Sequence, residues 1–259
     1  LDRGIGGFRM DVIDLIGKEV DKQIMAKGKN LHLLIHQMNR ATYGARDKLT
    51  VGETWSATPE DALLYSDPER QELSMVFQFE HIKQTWDEKH GKWRSRPFEL
   101  SRFKAVIDKW QTALADRGWN SLFWSNHDLP RAVSKFGDEG EYREASAKLL
   151  ATALHCLKGT PYIYQGEEIG MTNVRWSTIE EYRDIESLNF YRERIAAGIT
   201  HDEMMTGIHA NGRDNARSPV QWDDSPHAGF TTGTPWMAVN PNYRSINVAR
   251  ALAEPDSIL

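Results

Sequence analysis

From Gly7 to Val12 the chain alternates. Phe8, Met10 and Val12 are apolar on one side, and Arg9 and Asp11 are charged on the other. A period of two predicts a β-strand. Ile13 to Val20 then reads as a short helix, and Leu31 to Tyr43 as a stronger one with Leu31, Leu34, Ile35 and Met38 on one face. Lys48 to Trp55 predicts a second strand. Thr58, with Pro59 after it, caps a further helix. Leu73 to Phe79 alternates again as a third strand, and Glu99 to Ala115 carries an amphipathic stripe. Ser121 to Trp124 predicts a fourth strand running into Ser125-Asn126-His127-Asp128. Glu141 to Lys158 predicts a long helix closed by Gly159. Thr160 to Tyr164 is the fifth strand, followed by the acidic loop Gln165-Gly166-Glu167-Glu168. Beyond Asn173 the pattern weakens. Ile179 to Ala197 and His201 to Ile208 read as helical, and Gly212 to Pro241 as a long ordered loop of the kind that carries function.

Strand and helix take turns, which implies parallel strands joined by right-handed crossovers. Polar residues at the C-terminal strand ends favour part of a (β/α)8 barrel, whose chemistry sits at that end. A doubly wound open sheet is the alternative. It would want a glycine-rich phosphate loop after its first strand, whereas Gly4, Gly6 and Gly7 precede the strand core.

Composition narrows the picture. The 259 residues match the length of about 250 typical of an eightfold barrel. With 40% hydrophobic and 27% charged residues the chain reads as a soluble globular protein with a substantial core. Lysine plus arginine number 32 against 37 acidic residues, for a net charge of -5. With no basic run, nucleic acid is not an expected partner. No run of about 18 apolar residues exists, so no membrane span is expected. Cys156, the single cysteine, lies in an apolar helical run and is expected to be a buried, inert thiol. A disulfide framework is excluded, which favours a reducing, cytoplasmic setting. Nine tryptophans are many. Trp55, Trp93, Trp124, Trp222 and Trp236 fall in loops or at strand ends, where flat aromatic faces suit sugar rings. Core filling is the other use of such residues.

Three carboxylates follow apolar strand cores: Asp11, Glu53 and Asp128. Arg9 and Asp11 are two residues apart and point the same way. An arginine beside an aspartate keeps it ionised, as a nucleophile requires. Two carboxylates in different environments are the machinery of glycoside hydrolysis. Each has a plainer reading. Arg9 and Asp11 form an ordinary ion pair, Glu53 is a solvated strand end, and Asn126-His127-Asp128 is a capping turn before Leu129-Pro130. No zinc-type spacing and no Gly-x-Ser-x-Gly motif is present.

Gly7-Phe8-Arg9-Met10-Asp11-Val12-Ile13, Val51-Gly52-Glu53-Thr54 and Phe123-Trp124-Ser125-Asn126-His127-Asp128 closely resemble three signature segments of the α-amylase superfamily of glycoside hydrolases. Gly166 to Met171 and Gly212 to Trp222 resemble further segments of its oligo-1,6-glucosidase branch. The resemblance implies Asp11 as nucleophile, Glu53 as general acid/base and Asp128 as a carboxylate gripping sugar hydroxyls, with Arg9, His127 and Arg213 as companions. It also implies a linkage switch after the nucleophile, where valine, here Val12, goes with α-1,6 bonds. Trp55 is similar to a residue of dextran glucosidases and would stack on the leaving sugar. Lys92 and Glu186 are further candidates for that sugar, with solvated surface charges as the plainer reading.

By the same resemblance the chain starts at the fourth barrel strand. The expected fold is α/β, an incomplete (β/α)8 TIM barrel comprising strands 4 to 8, with residues 1–259 as one partial catalytic domain. The first three strands, the last barrel helix and a C-terminal β-domain are then absent. So is a structural calcium loop that some relatives carry; no cofactor is expected in the part present. Half a barrel exposes strand edges, so this segment alone is expected to be inactive and prone to aggregate. At full length the expectation is a bacterial, monomeric enzyme acting on a small α-glucan oligosaccharide. Its expected reaction is cleavage of α-1,6 bonds from non-reducing ends. The rival activities are trehalose-6-phosphate hydrolysis and α-1,4-glucosidase action, and the rival of another class is a non-catalytic sugar-binding homologue.

Overall fold

The opening alternation forms strand β1 (Gly7–Met10) in a computed structural model that describes residues 1–259. In chain order there follow α1 (Leu31–Ala41), β2 (Leu49–Glu53), α2 (Pro59–Ser66), β3 (Met75–Phe77) and α3 (Glu80–Lys83). Next come β4 (Trp86–Asp87), β5 (Gly91–Ser95), α4 (Leu100–Ala113), β6 (Ser121–Leu122), α5 (Ala132–Phe136), α6 (Arg143–His155) and β7 (Thr160–Pro161). The chain ends with α7 (Ile185–Ala196), α8 (His201–Asn211), α9 (Asp214–Arg217) and α10 (Val248–Ala253). The chain divides into two compact units. One comprises Leu1–Gln84, Glu99–Leu122 and Leu157–Tyr162; the other comprises Thr85–Phe98, Phe123–Cys156 and Ile163–Leu259.

The first unit holds the five parallel strands. β1 pairs with β2, β2 with β3, and β6 with β7. A parallel bridge from Val76 to Asn120 joins β3 to β6. The spatial order β1-β2-β3-β6-β7 is therefore the sequence order of the parallel strands. A doubly wound sheet reverses its order at a switch point; here none occurs, which favours the barrel segment.

Register decides which side chains meet. Met10 lies opposite Gly52, and Gly52 opposite Val76. These positions face a core built with Leu31 and Ile35 of α1, Ala62 and Tyr65 of α2, and Val106 and Trp110 of α4. Gly52 is required there: a Cβ would lie 2.8 Å from both Ile13 Cγ2 and Leu73 Cδ1. Arg9, Val51 and Met75 share the opposite face, and by the period of two so do Asp11, Glu53 and Phe77. The cap of α2 forms as read, with Thr58 and Asp61 making a reciprocal capping box.

The second unit contains the antiparallel β4–β5 hairpin and α5 to α10. One apolar cluster gathers Val174, Trp176, Tyr182, Met205, Ile208 and Met237. Buried Arg131 ties its loops together. It donates from Nε to the Asn215 carbonyl at 3.0 Å and from Nη1 to that of Gln165 at 2.6 Å. Gly166, at φ +98°, leaves that guanidinium its room, since a Cβ would lie 2.7 Å from Nη1.

Several readings are corrected. Ile13 to Val20 is not a helix; two 3-10 turns, Ile13–Leu15 and Val20–Lys22, stand there. The Gly212 to Pro241 loop contains α9, and Asn215 pins it with donations to the carbonyls of His209 and Gly212 at 3.1 and 3.0 Å. Cys156 is exposed, because it is the C-cap of α6 rather than part of a buried face. Trp124 fills the second unit's interior, with Nε1 on the Leu150 carbonyl, while Trp222 and Trp236 are exposed. No helix is long and apolar enough to cross a membrane.

Candidate active site

Adjacent parallel strands deliver the first two carboxylates. Asp11 follows the last residue of β1, and Glu53 is the last residue of β2. The final β1–β2 pair is Met10 with Gly52, so the next positions along the two strands are Asp11 and Glu53. Both sit at C-terminal strand ends, where parallel α/β folds place their chemistry. Arg9 spans them: its Nη1 pairs with Asp11 Oδ1, and its Nη2 donates to Glu53 Oε2 at 2.8 Å. The two acids are thus held within the reach of one guanidinium.

Their exposure differs sharply. The Asp11 side chain is 76% exposed and that of Glu53 4%. Glu53 accepts three hydrogen bonds. Besides Arg9, the Val12 amide donates to Oε2 at 3.1 Å, and Trp55 Nε1 donates to Oε1 at 2.9 Å.

The Val12 amide reaches Glu53 at a conformational cost. Val12 sits at φ 36° and ψ 47°, in the left-handed region. For a β-branched residue this is strain of about 1–3 kcal/mol. Asp14 steadies the turn by accepting from Ser56 Oγ at 2.8 Å.

Trp55 has a second task beside holding Glu53. Its ring stacks on Phe79, with centroids 3.8 Å apart and planes 12° from parallel. At most one ring face is left for the sugar stacking expected from the sequence. The Lys83 ammonium, pushed down by burial, donates to the Trp55 carbonyl at 2.5 Å.

Asp128 belongs to the second unit and has its own partners. Arg217 Nη2 donates to its Oδ1 at 2.6 Å, Arg213 Nη1 lies 3.6 Å from the same oxygen, and His127 Nε2 lies 3.5 Å from Oδ2. Asp128 caps no helix, since the N-cap of α5 is Arg131. Arg217 also donates from Nε to the His127 carbonyl at 2.9 Å and lies 3.6 Å from Asp184 Oδ1.

Lys92 and Glu186 are joined rather than separately solvated. Lys92 Nζ donates to Glu186 Oε2 at 2.6 Å. Arg213 Nε lies 2.9 Å from that same oxygen. Its N–H is not aimed at the oxygen, so this is a charge contact and not a hydrogen bond. Lys92, Glu186, Arg213, Asp128 and Arg217 thus form one chain of ion pairs.

Sequence reasoning missed Arg217. The signal was available: Arg213 and Arg217 are four residues apart across α9 and so share a helix side. Buried Asp214 sits between them in sequence. Burial pushes its carboxyl up, while Oδ2 accepts from the Arg183 and Asp184 amides at 2.6 and 2.9 Å. Glu167 of the acidic loop is pushed up to about 7 by burial and accepts from Ser125 Oγ. No group of three His, Cys, Asp or Glu side chains is arranged to hold a metal ion.

The arrangement offers one exposed carboxylate, one enclosed carboxylate and a shared cation, which is the equipment for a two-step displacement. Comparison with known proteins adds to this. Residues 1–259 match the family described as "Alpha amylase, catalytic domain". The chain is 70% identical to a palatinase of Erwinia rhapontici over 261 residues, covering 100% of this chain and 47% of that protein. It is 58% identical to a glucan 1,6-alpha-glucosidase of Streptococcus pneumoniae, covering 100% of this chain and 49% of that one. Among solved structures, a Bacillus licheniformis trehalose-6-phosphate hydrolase superposes with a TM-score of 0.93 at 46% identity, over 99% of this chain and 48% of the other. The chain spans just under half the length of each of these relatives.

Proposed function

The chain belongs to the alpha-amylase catalytic-domain family, and from that premise we propose that the whole protein is a retaining α-glucosidase that cleaves α-1,6 bonds from non-reducing ends of isomalto-oligosaccharides or dextran. The five parallel strands are then the fourth to eighth staves of an eightfold barrel, and residues 1–259 form part of one catalytic domain. The full-length protein is a monomer acting on small-molecule substrates.

One observation carries the reading: the Arg9 guanidinium bridges two carboxylates at neighbouring strand ends. Retention needs such carboxyl groups about 5–5.5 Å apart. In the first step Asp11 attacks the anomeric carbon while Glu53 gives its proton to the glycosidic oxygen. The carbon–oxygen bond breaks and a glucosyl ester on Asp11 forms. In the second step water passes a proton to Glu53 and attacks the same carbon, releasing α-glucose and free Asp11. Asp128, fixed by Arg217 and Arg213, grips sugar hydroxyls, with His127 beside it. Lys92 and Glu186 are the candidates for polar contact to the leaving sugar.

Val12, read through the resemblance, and the names of the glucan and oligo-1,6-glucosidase relatives support α-1,6 specificity. The 70% identity to a palatinase favours a second reading, in which the preferred substrate is a disaccharide such as palatinose. The test is to assay the full-length enzyme side by side on isomaltose, dextran, palatinose, maltose and trehalose 6-phosphate. Turnover of isomaltose and dextran above maltose supports the first reading. Palatinose far ahead of dextran selects the second. A preference for maltose or trehalose 6-phosphate overturns both.

A further inference from the structure

The second unit has a partly open polar cavity of about 330 Å³ to which the proposed hydrolysis assigns no role. Lys135 of α5, Arg96 just after β5, Arg175, and His209 of α8 stand in its wall, and no aspartate or glutamate does. Thr85 and Ser134 add hydroxyls. Lys135 Nζ donates to Thr85 Oγ1 at 2.7 Å and Asn211 Oδ1 at 3.3 Å, both uncharged partners. Burial pushes its ammonium down to about 7. Arg96 gives Nη1 to Glu88 at 2.9 Å, but its Nε is buried with no partner. Arg175 spends Nε and Nη2 on Glu139. His209 Nε2 donates to the Trp176 carbonyl at 2.8 Å, which leaves Nδ1 as the ring's other nitrogen.

A buried cation without a counter-ion is costly; Arg96 and Arg175 have Glu88 and Glu139, but Lys135 has only a hydroxyl and an amide oxygen as partners. Lysine as a point charge and arginine as a planar fork are the side chains that recognise phosphate oxygens. The volume lies at the low end of small-molecule cavities, so a phosphate ester fits as well as the free ion. We propose that this cavity binds a phosphate group, carried by inorganic phosphate or by a sugar phosphate.

The test is calorimetric titration of the full-length protein with inorganic phosphate, with glucose 6-phosphate, and with glucose as the uncharged control. Wild type is compared with Lys135→Gln, Lys135→Arg and Arg175→Gln. The expectation is one saturable phosphate per chain, weakened about tenfold or more by either glutamine variant and largely retained by Lys135→Arg. Equal affinity for both ligands assigns the site to the phosphate group itself. Tighter binding of glucose 6-phosphate than of either phosphate or glucose assigns it to the ester. Exposed Arg175 keeps the test valid should Lys135→Gln fail to fold. Absence of saturable binding by either phosphate ligand overturns the proposal, as does binding that Arg175→Gln and Lys135→Gln leave unchanged.

Discussion

The two units treat their carboxylates in opposite ways. In the first, one arginine serves two acids: Arg9 holds both Asp11 and Glu53. In the second, two arginines serve one acid, as Arg217 and Arg213 both lie on Asp128 Oδ1. The first arrangement leaves Asp11 largely in solvent, as suits a group that must react. In the second, Asp128, Glu186 and Asp184 are matched by Arg213, Arg217 and Lys92, so charge is balanced. A balanced network resists rearrangement and suits a group that must stay still. Carboxylates that look alike in sequence thus differ in exposure and in how arginines are shared among them.

The comparison breaks most visibly at Asp11. Asp11→Ala in the full-length enzyme is expected to lower kcat by several orders of magnitude, measured on an activated aryl α-glucoside. Arg217→Gln comes next. It strips Asp128 of its aligned donor and should lower kcat/KM about 30- to 300-fold. Arg213→Gln, acting across 3.6 Å, should cost no more than about tenfold. Equal losses in these two variants would mean that the arginines are not ranked by their geometry. Trp55→Phe keeps the stack on Phe79 but removes the donor on Glu53 Oε1. A change in kcat of about three- to tenfold, with little change in Tm, would identify Trp55 as a positioning residue.

The smallest expected effect concerns Glu167, whose hydrogen-bonding partner is a hydroxyl. Its carboxyl is raised from 4.5 to about 7. Between those values the folded chain binds a proton that the unfolded chain has released, so stability is lost as pH rises through that window. Glu167→Gln should therefore exceed wild type in stability at pH 8 by about 1–3 kcal/mol. The gain should shrink away below about pH 5, as followed by denaturant unfolding.

What the sequence made legible was local. The alternation around Arg9 and Asp11 specified both β1 and the face its charges share. Thr58, Pro59 and Asp61 announced α2, because capping is written within four residues. Strand ends were read too long: Leu73 to Phe79 narrows to Met75–Phe77, since apolar alternation continues past the last ladder hydrogen bond. The β4–β5 hairpin was missed because Trp86 to Ser95 is dominated by charged residues and its register shifts at a bulge. Arg217 was passed over because its partner Asp128 lies 89 residues away, a distance over which periodicity says nothing. The enclosure of Glu53 was equally hidden. It depends on the left-handed backbone at Val12, which no side-chain pattern encodes.

The claim that Asp11 and Glu53 act as nucleophile and acid/base is tested most directly by trapping the ester. The full-length enzyme, as wild type and Glu53→Gln, would be incubated with 5-fluoro-α-glucosyl fluoride, digested, and mapped by mass spectrometry. A single glucosyl adduct on the Asp11 side chain, longer lived in Glu53→Gln, is the predicted result. An adduct on any other residue, or no adduct together with a β-glucose first product by NMR, would contradict it.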